Sequence, residues 1–145
     1  MTENLFLAFY NGKSKRHAVI SDDGITAWLY LHQPSDDSQS TADVDAKAFV
    51  YNRGEWIEVR EVGSYRPGPP PIAKGYGHEI AVCSDPSEHE WSIHWSADGE
   101  SVVLLRDTEP WCLIATGDQD GYSKSIRVDG PWGHPWDDAM LEVIS

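Results

Sequence analysis

The chain has 145 residues, enough for one domain with a buried core, and its 40% hydrophobic and 11% aromatic content argues against global disorder. With 24 acidic against 11 basic residues the formal charge is -13, which argues against nucleic acid or an anionic membrane as a partner and admits a basic one. Cys83 and Cys112 form no C-x-x-C pair and no disulfide framework, and Cys112 reads as a small buried hydrophobe. The N-terminus carries Glu3 and no basic leader, and no apolar run approaches membrane-spanning length, so the expected location is the cytoplasm.

Leu5 to Tyr10 predicts an apolar strand, and Asn11-Gly12 is the strongest two-residue hairpin signal in the chain. A basic patch of Lys13, Lys15 and Arg16 precedes a return strand from His17 to Ile20. Ser21-Asp22-Asp23-Gly24 predicts a turn. Ile25 to His32 then alternates, with Ala27, Leu29 and Leu31 on one face and Trp28, Tyr30 and His32 on the other. Gln33 to Asp45 lacks periodicity, carries Asp36, Asp37, Asp43 and Asp45, and predicts a mobile loop.

Ala46 to Tyr51 and Trp56 to Val62 are expected to pair around Asn52-Arg53-Gly54. Gly63 to Gly77 holds four Pro and four Gly, which argues against helix and central strand there. It is the candidate seam between two β-halves. It also carries Tyr65, Arg66 and Tyr76, residue types common in binding loops. His78 to Ser84 predicts a further strand.

Trp91 to Thr116 is the clearest β signal. Trp91, Ile93 and Trp95 alternate with Ser92 and His94, and Asp98-Gly99 suits a turn. Val102 to Leu105 is apolar on both faces, as a covered central strand requires. Pro110 suits a turn or a strand's start, and Trp111 to Thr116 completes a three-stranded meander. A short strand is expected at Ser125 to Val128. Pro135, Asp137 and Asp138 mark a helix start, and Trp136, Met140, Val143 and Ile144 share one helical face. The expected fold is therefore mainly β, with antiparallel meanders forming a sandwich or a strongly curved sheet. One short C-terminal helix completes a single domain.

Chemistry is poorly marked. His89 and His94, near Glu88 and Glu90, are five apart, which on a strand points the rings to opposite faces. Asp118 and Asp120 open like a calcium loop, but Tyr122 stands at the third acidic position and Asp129 stands at position twelve, where a bidentate Glu is needed. No nucleophile elbow, phosphate loop or dinucleotide fingerprint occurs, so neither an enzyme nor a cofactor is expected. The first functional expectation is a protein-binding module of the immunity or inhibitor kind, blocking a basic bacterial toxin. Asp36, Asp37, Asp43, Asp45, Asp118 and Asp120 are its contact candidates. The alternative is a small-ligand or carbohydrate module. It would use an aromatic surface from Tyr65, Arg66, Tyr76, Trp132, His134 and Trp136.

Overall fold

A computed structural model describes residues 5–65 and 69–144. Two sheets carry the fold, and it is mainly β as expected. The first contains β1 (Phe6–Tyr10), β2 (His17–Asp22), β3 (Thr26–His32) and β4 (Val44–Asn52), antiparallel and in chain order. The second contains β5 (Trp91–Trp95), β6 (Val102–Arg106), β7 (Glu109–Ile114), β8 (Tyr122–Ser123) and β9 (His134–Pro135). Its strands are antiparallel up to β8, which pairs with β9 in parallel.

The alternation in the sequence sorts side chains into layers. Ala27, Leu29 and Leu31 of β3 enter the main core with Ile20, Val50, Tyr51, Leu104 and Ile114, so both sheets contribute to it. Trp28 and Phe49 face the other way and meet Ile72, Ala81, Ile126 and Trp132 in a second cluster. β6 divides in the same manner. Val102 and Leu104 join the main core, while Val103 packs outward with Leu113, Ala115, Trp136, Met140 and Leu141. That outer cluster is where the C-terminal segment covers the sheet.

The sheets meet through β4. Backbone bonds run from Lys47 N to Gln119 O and from Gly121 N to Lys47 O, at 3.0 and 2.8 Å. The indole Nε1–H of Trp111 donates to Val50 O at 3.0 Å, and the Cys112 thiol donates to Phe49 O at 3.1 Å. The free edge of β4 is thus satisfied by the backbone of Gln119 and Gly121 and by side chains of β7. Gly121 sits where a Cβ would lie 2.6 Å from Leu113 O and 2.7 Å from the Ala48 methyl, so only glycine allows this approach.

Several expectations need correction. Asn11-Gly12 does not form a two-residue hairpin: Tyr10 pairs with His17, leaving six loop residues between. Asn11 uses its side chain instead, with Oδ1 accepting from Lys13 N and Ser14 N, and the positive φ falls on Lys15. The acidic segment after β3 is tied down. Ser38 O lies 2.8 Å from His17 Nε2, Ala42 O lies 2.7 Å from His32 Nδ1, and the Tyr10 hydroxyl donates to Ser35 O. Asp45 belongs to β4 rather than to the loop.

The hairpin expected around Asn52 is absent. The buried Asn52 amide bonds both Ile72 O and Ile72 N, so residue 72 takes the place a return strand would occupy. Cys83 N donates to Asn52 O beside it. Val59–Tyr65 becomes a 3-10 helix that runs into the glycine- and proline-rich segment. Glu79–Ala81 is another 3-10 turn where a strand was expected. No strand forms at Ser125 to Val128; the paired residues are Tyr122 and Ser123, and Ile126 makes a single bridge to Gly77.

The C-terminal helix is present as a 3-10 segment, Asp138–Ile144. Pro135 lies before it in β9, the outermost strand, where a missing N–H is tolerated. Trp136 and Met140 cover the sheet as their spacing predicted, joined by Leu141. The side chains of Val143 and Ile144 lie outside the described residues.

Candidate functional site

The predicted acidic contacts divide between a loop and a small cavity. Asp36 pairs with Lys15 at 2.7 Å, which lowers its pKa through the hydrogen bond and the ammonium charge and raises that of Lys15. Both groups are exposed, so the pair is a weak anchor. Asp37 accepts from Gln39 N within the loop, and the Asp43 carbonyl accepts from Gln33 N. Asp45 and Asp118 come together with Arg16 and Glu100 around a cavity of about 160 Å³. Arg16 neutralises part of it, with Nε on Glu100 at 2.9 Å and Nη1 on Asp45 at 3.0 Å. Asp120 takes part through its backbone, in a parallel β-bridge with Lys47 where the sheets join.

The predicted aromatic surface does not assemble into a clamp. Trp132 is 3% exposed, packs against Tyr76 with ring centroids 5.2 Å apart, and donates Nε1–H to Pro70 O. A ring so covered has no face to offer a ligand. Trp136 belongs to the outer cluster on the other sheet, bonded to Asp138 and beneath the Lys124 ammonium at 5.3 Å. His134 pairs with Asp129 and stacks on Tyr122. Tyr65 is half-buried at the end of its 3-10 helix, and Arg66 lies outside the described residues.

A different surface gathers on the connector between the sheets. Trp56, Val59, Ile80 and Val82 are exposed large apolar side chains within 27 residues of chain. Two clefts of about 440 Å³ each flank Trp56 and share both its ring and Glu79. The first is lined also by Glu55, Glu58, Lys74 and Val82, the second by Gly77, His78 and Arg127. Among the described residues, the carboxylates of Glu55, Glu58 and Glu79 have no hydrogen-bond or ion-pair partner. Sequence reasoning missed this surface because it placed Trp56 to Val62 in a hairpin. The signal available was a Trp set between two glutamates, Glu55 and Glu58.

Reactive chemistry is muted elsewhere. Asp22 is wholly buried, accepts from the Tyr51 hydroxyl at 2.6 Å and from Arg53 Nη1 at 2.8 Å, and ties β2 to β4. Burial, then the Asp22 carboxylate, pushes the Tyr51 phenol far above its usual range. Burial pushes the Cys112 thiol up to about 12 and raises Cys83 as well, so both thiols stay in the less nucleophilic neutral form. Both are free cysteines. Among the described residues no group of three or more His, Cys, Asp or Glu could hold a metal ion, and no helix is long and apolar enough to cross a membrane. Comparison with protein-family models, with curated proteins and with solved structures finds no significant match to this chain.

Proposed function

We propose that this protein is a cytoplasmic binding module for a basic protein partner and that it works by occlusion, as an immunity or inhibitor protein does. The observation that carries the reading is the connector surface, where exposed Trp56 and Val82 lie among carboxylates that have no partner among the described residues. An aromatic anchor supplies affinity through desolvation, and surrounding negative charge raises the association rate of a cationic partner. The formal charge of -13 extends that field over the molecule. A sugar or small-ligand module built on Trp132 and Trp136 is the weaker reading, since Trp132 is buried and the two rings sit in separate clusters.

The test is affinity capture of partners from the native host lysate, washed at low and at high salt, with bound species identified by mass. A stoichiometric basic protein retained at low salt is the expected result, with an on-rate that falls as salt rises. Recovery of no protein at either salt would sink the reading.

A further inference from the structure

We infer that the cleft beside Trp56 is a docking groove for one arginine or lysine side chain of a basic partner segment, held flat on the indole with its charge among Glu55, Glu58 and Glu79. The inference rests on the binding-module reading above and gives that reading a place and a chemistry. Trp56 is the natural platform. Its ring lies against Gly77, where a Cβ would stand 2.8 Å from the indole Nε1 and 2.8 Å from Ile72 Cγ2. Glycine at 77 therefore leaves room for the edge of the indole and for Ile72, a member of the second core cluster. The platform is supported from within yet remains 36% exposed.

Charge decides what should lie on it. Among the described residues, the first cleft presents three carboxylates, Glu55, Glu58 and Glu79, against the single ammonium of Lys74. The second sets Glu79 against Arg127 and so has no comparable excess. A cation is drawn to the first cleft, and the face of a Trp is the aromatic surface it favours most. Val82 offers the apolar contact that the methylene stem of a long basic side chain covers. An anion would meet the carboxylate excess, and a neutral apolar group would leave those carboxylates uncompensated beside it. A guanidinium or ammonium on a flexible stem satisfies all three requirements.

The probe is a hexa-arginine peptide, with hexa-citrulline as its uncharged counterpart. Binding is followed by two-dimensional NMR of the nitrogen-15-labelled full chain, with the Trp56 indole signal identified by its loss in Trp56→Phe. A saturable shift of that signal with hexa-arginine, and none with hexa-citrulline, is expected. Glu55→Gln/Glu58→Gln/Glu79→Gln keeps the aromatic platform and should weaken the binding by about tenfold. A Trp56 signal that stays still while resonances of the Asp45 and Asp118 end move would overturn the groove, as would equal affinity in the triple variant. Lysate capture separates the two levels. A partner retained equally by wild type and Trp56→Ala leaves the binding-module reading standing and removes the groove. Hexa-arginine binding at Trp56 without any captured partner keeps the groove and removes the occlusion reading.

Discussion

Trp111 of β7 reaches across to Val50 of β4 and donates its indole N–H to that carbonyl at 3.0 Å, and the Ser125 hydroxyl donates to the same oxygen. One buried carbonyl thus fastens both β7 and the segment after β8 to the first sheet. Trp111→Phe should cost about 1–3 kcal/mol and Ser125→Ala about 1 kcal/mol, because each leaves the other donor in place. The double variant strips Val50 O of both side-chain donors and should lose more than the sum. Urea unfolding of the four proteins measures that coupling, and strict additivity would show that the two donors act independently.

Tyr51 and Asp22 provide a second fastening, and it has an alkaline signature. Burial and the Asp22 carboxylate raise the folded-state pKa of the phenol, whereas in the unfolded chain it ionises near about 10. A raised folded pKa gives stability that is complete below the unfolded pKa and declines as pH rises above it. The buried Cys112 thiol adds a loss of the same sign that starts lower, from about 8.5 and up to about 12. Melting temperature should therefore fall between pH 9 and 12 in wild type, less steeply in Tyr51→Phe and in Cys112→Ala. Parallel curves for all three proteins would show that neither group carries the effect.

The regular parts of this fold were legible because their residues alternate. β3 separates Ala27, Leu29 and Leu31 from Trp28 and Tyr30, and β6 shows apolar residues to two different clusters. The connector was not legible, because its organisation depends on long-range bonds from single side chains. Asn52 holds Ile72 across 20 residues, and nothing near either in sequence announces that pairing. Trp132 shows the same limit in reverse. It was a candidate for the alternative aromatic binding surface, but Tyr76 and Pro70, both distant in sequence, cover it. The acidic residues were visible in the sequence, but their sharing of Arg16 was not, since Asp45 and Glu100 come from different sheets' neighbourhoods.

The order of the loop after β3 rests on His17. This ring is buried, packs on Tyr10 at 4.7 Å, and bonds Ser38 O through Nε2, while its Nδ1 has no partner among the described residues. A carbonyl only accepts, so Nε2 carries the proton in that bond. His17→Phe keeps a ring against Tyr10 but removes both the donor and the unpaired nitrogen. These two changes oppose each other, so global stability should shift by less than about 1 kcal/mol. Cleavage within residues 33–43 by a nonspecific protease should nonetheless accelerate, because the loop has lost an anchor. An unchanged cleavage rate would mean that Tyr10 and His32 suffice to hold it.

Arg16 is the group that makes the acidic end tolerable. It is mostly buried, and it donates to Glu100, to Asp45 and to the His32 carbonyl. Arg16→Ala would leave Asp45 and Glu100 beside Asp118 around one small cavity with no cation among them. The carboxylates are partly solvated, so the loss should be about 1–3 kcal/mol, below that of a wholly buried pair. Arg16→Lys should recover only part of it, because an ammonium cannot reproduce the planar fork that reaches three acceptors. The cause can be isolated by adding Asp45→Asn and Glu100→Gln to Arg16→Ala. If like-charge crowding is the penalty, this triple variant unfolds at higher urea than Arg16→Ala alone. A triple variant no more stable than the single one would assign the loss to the missing hydrogen bonds instead.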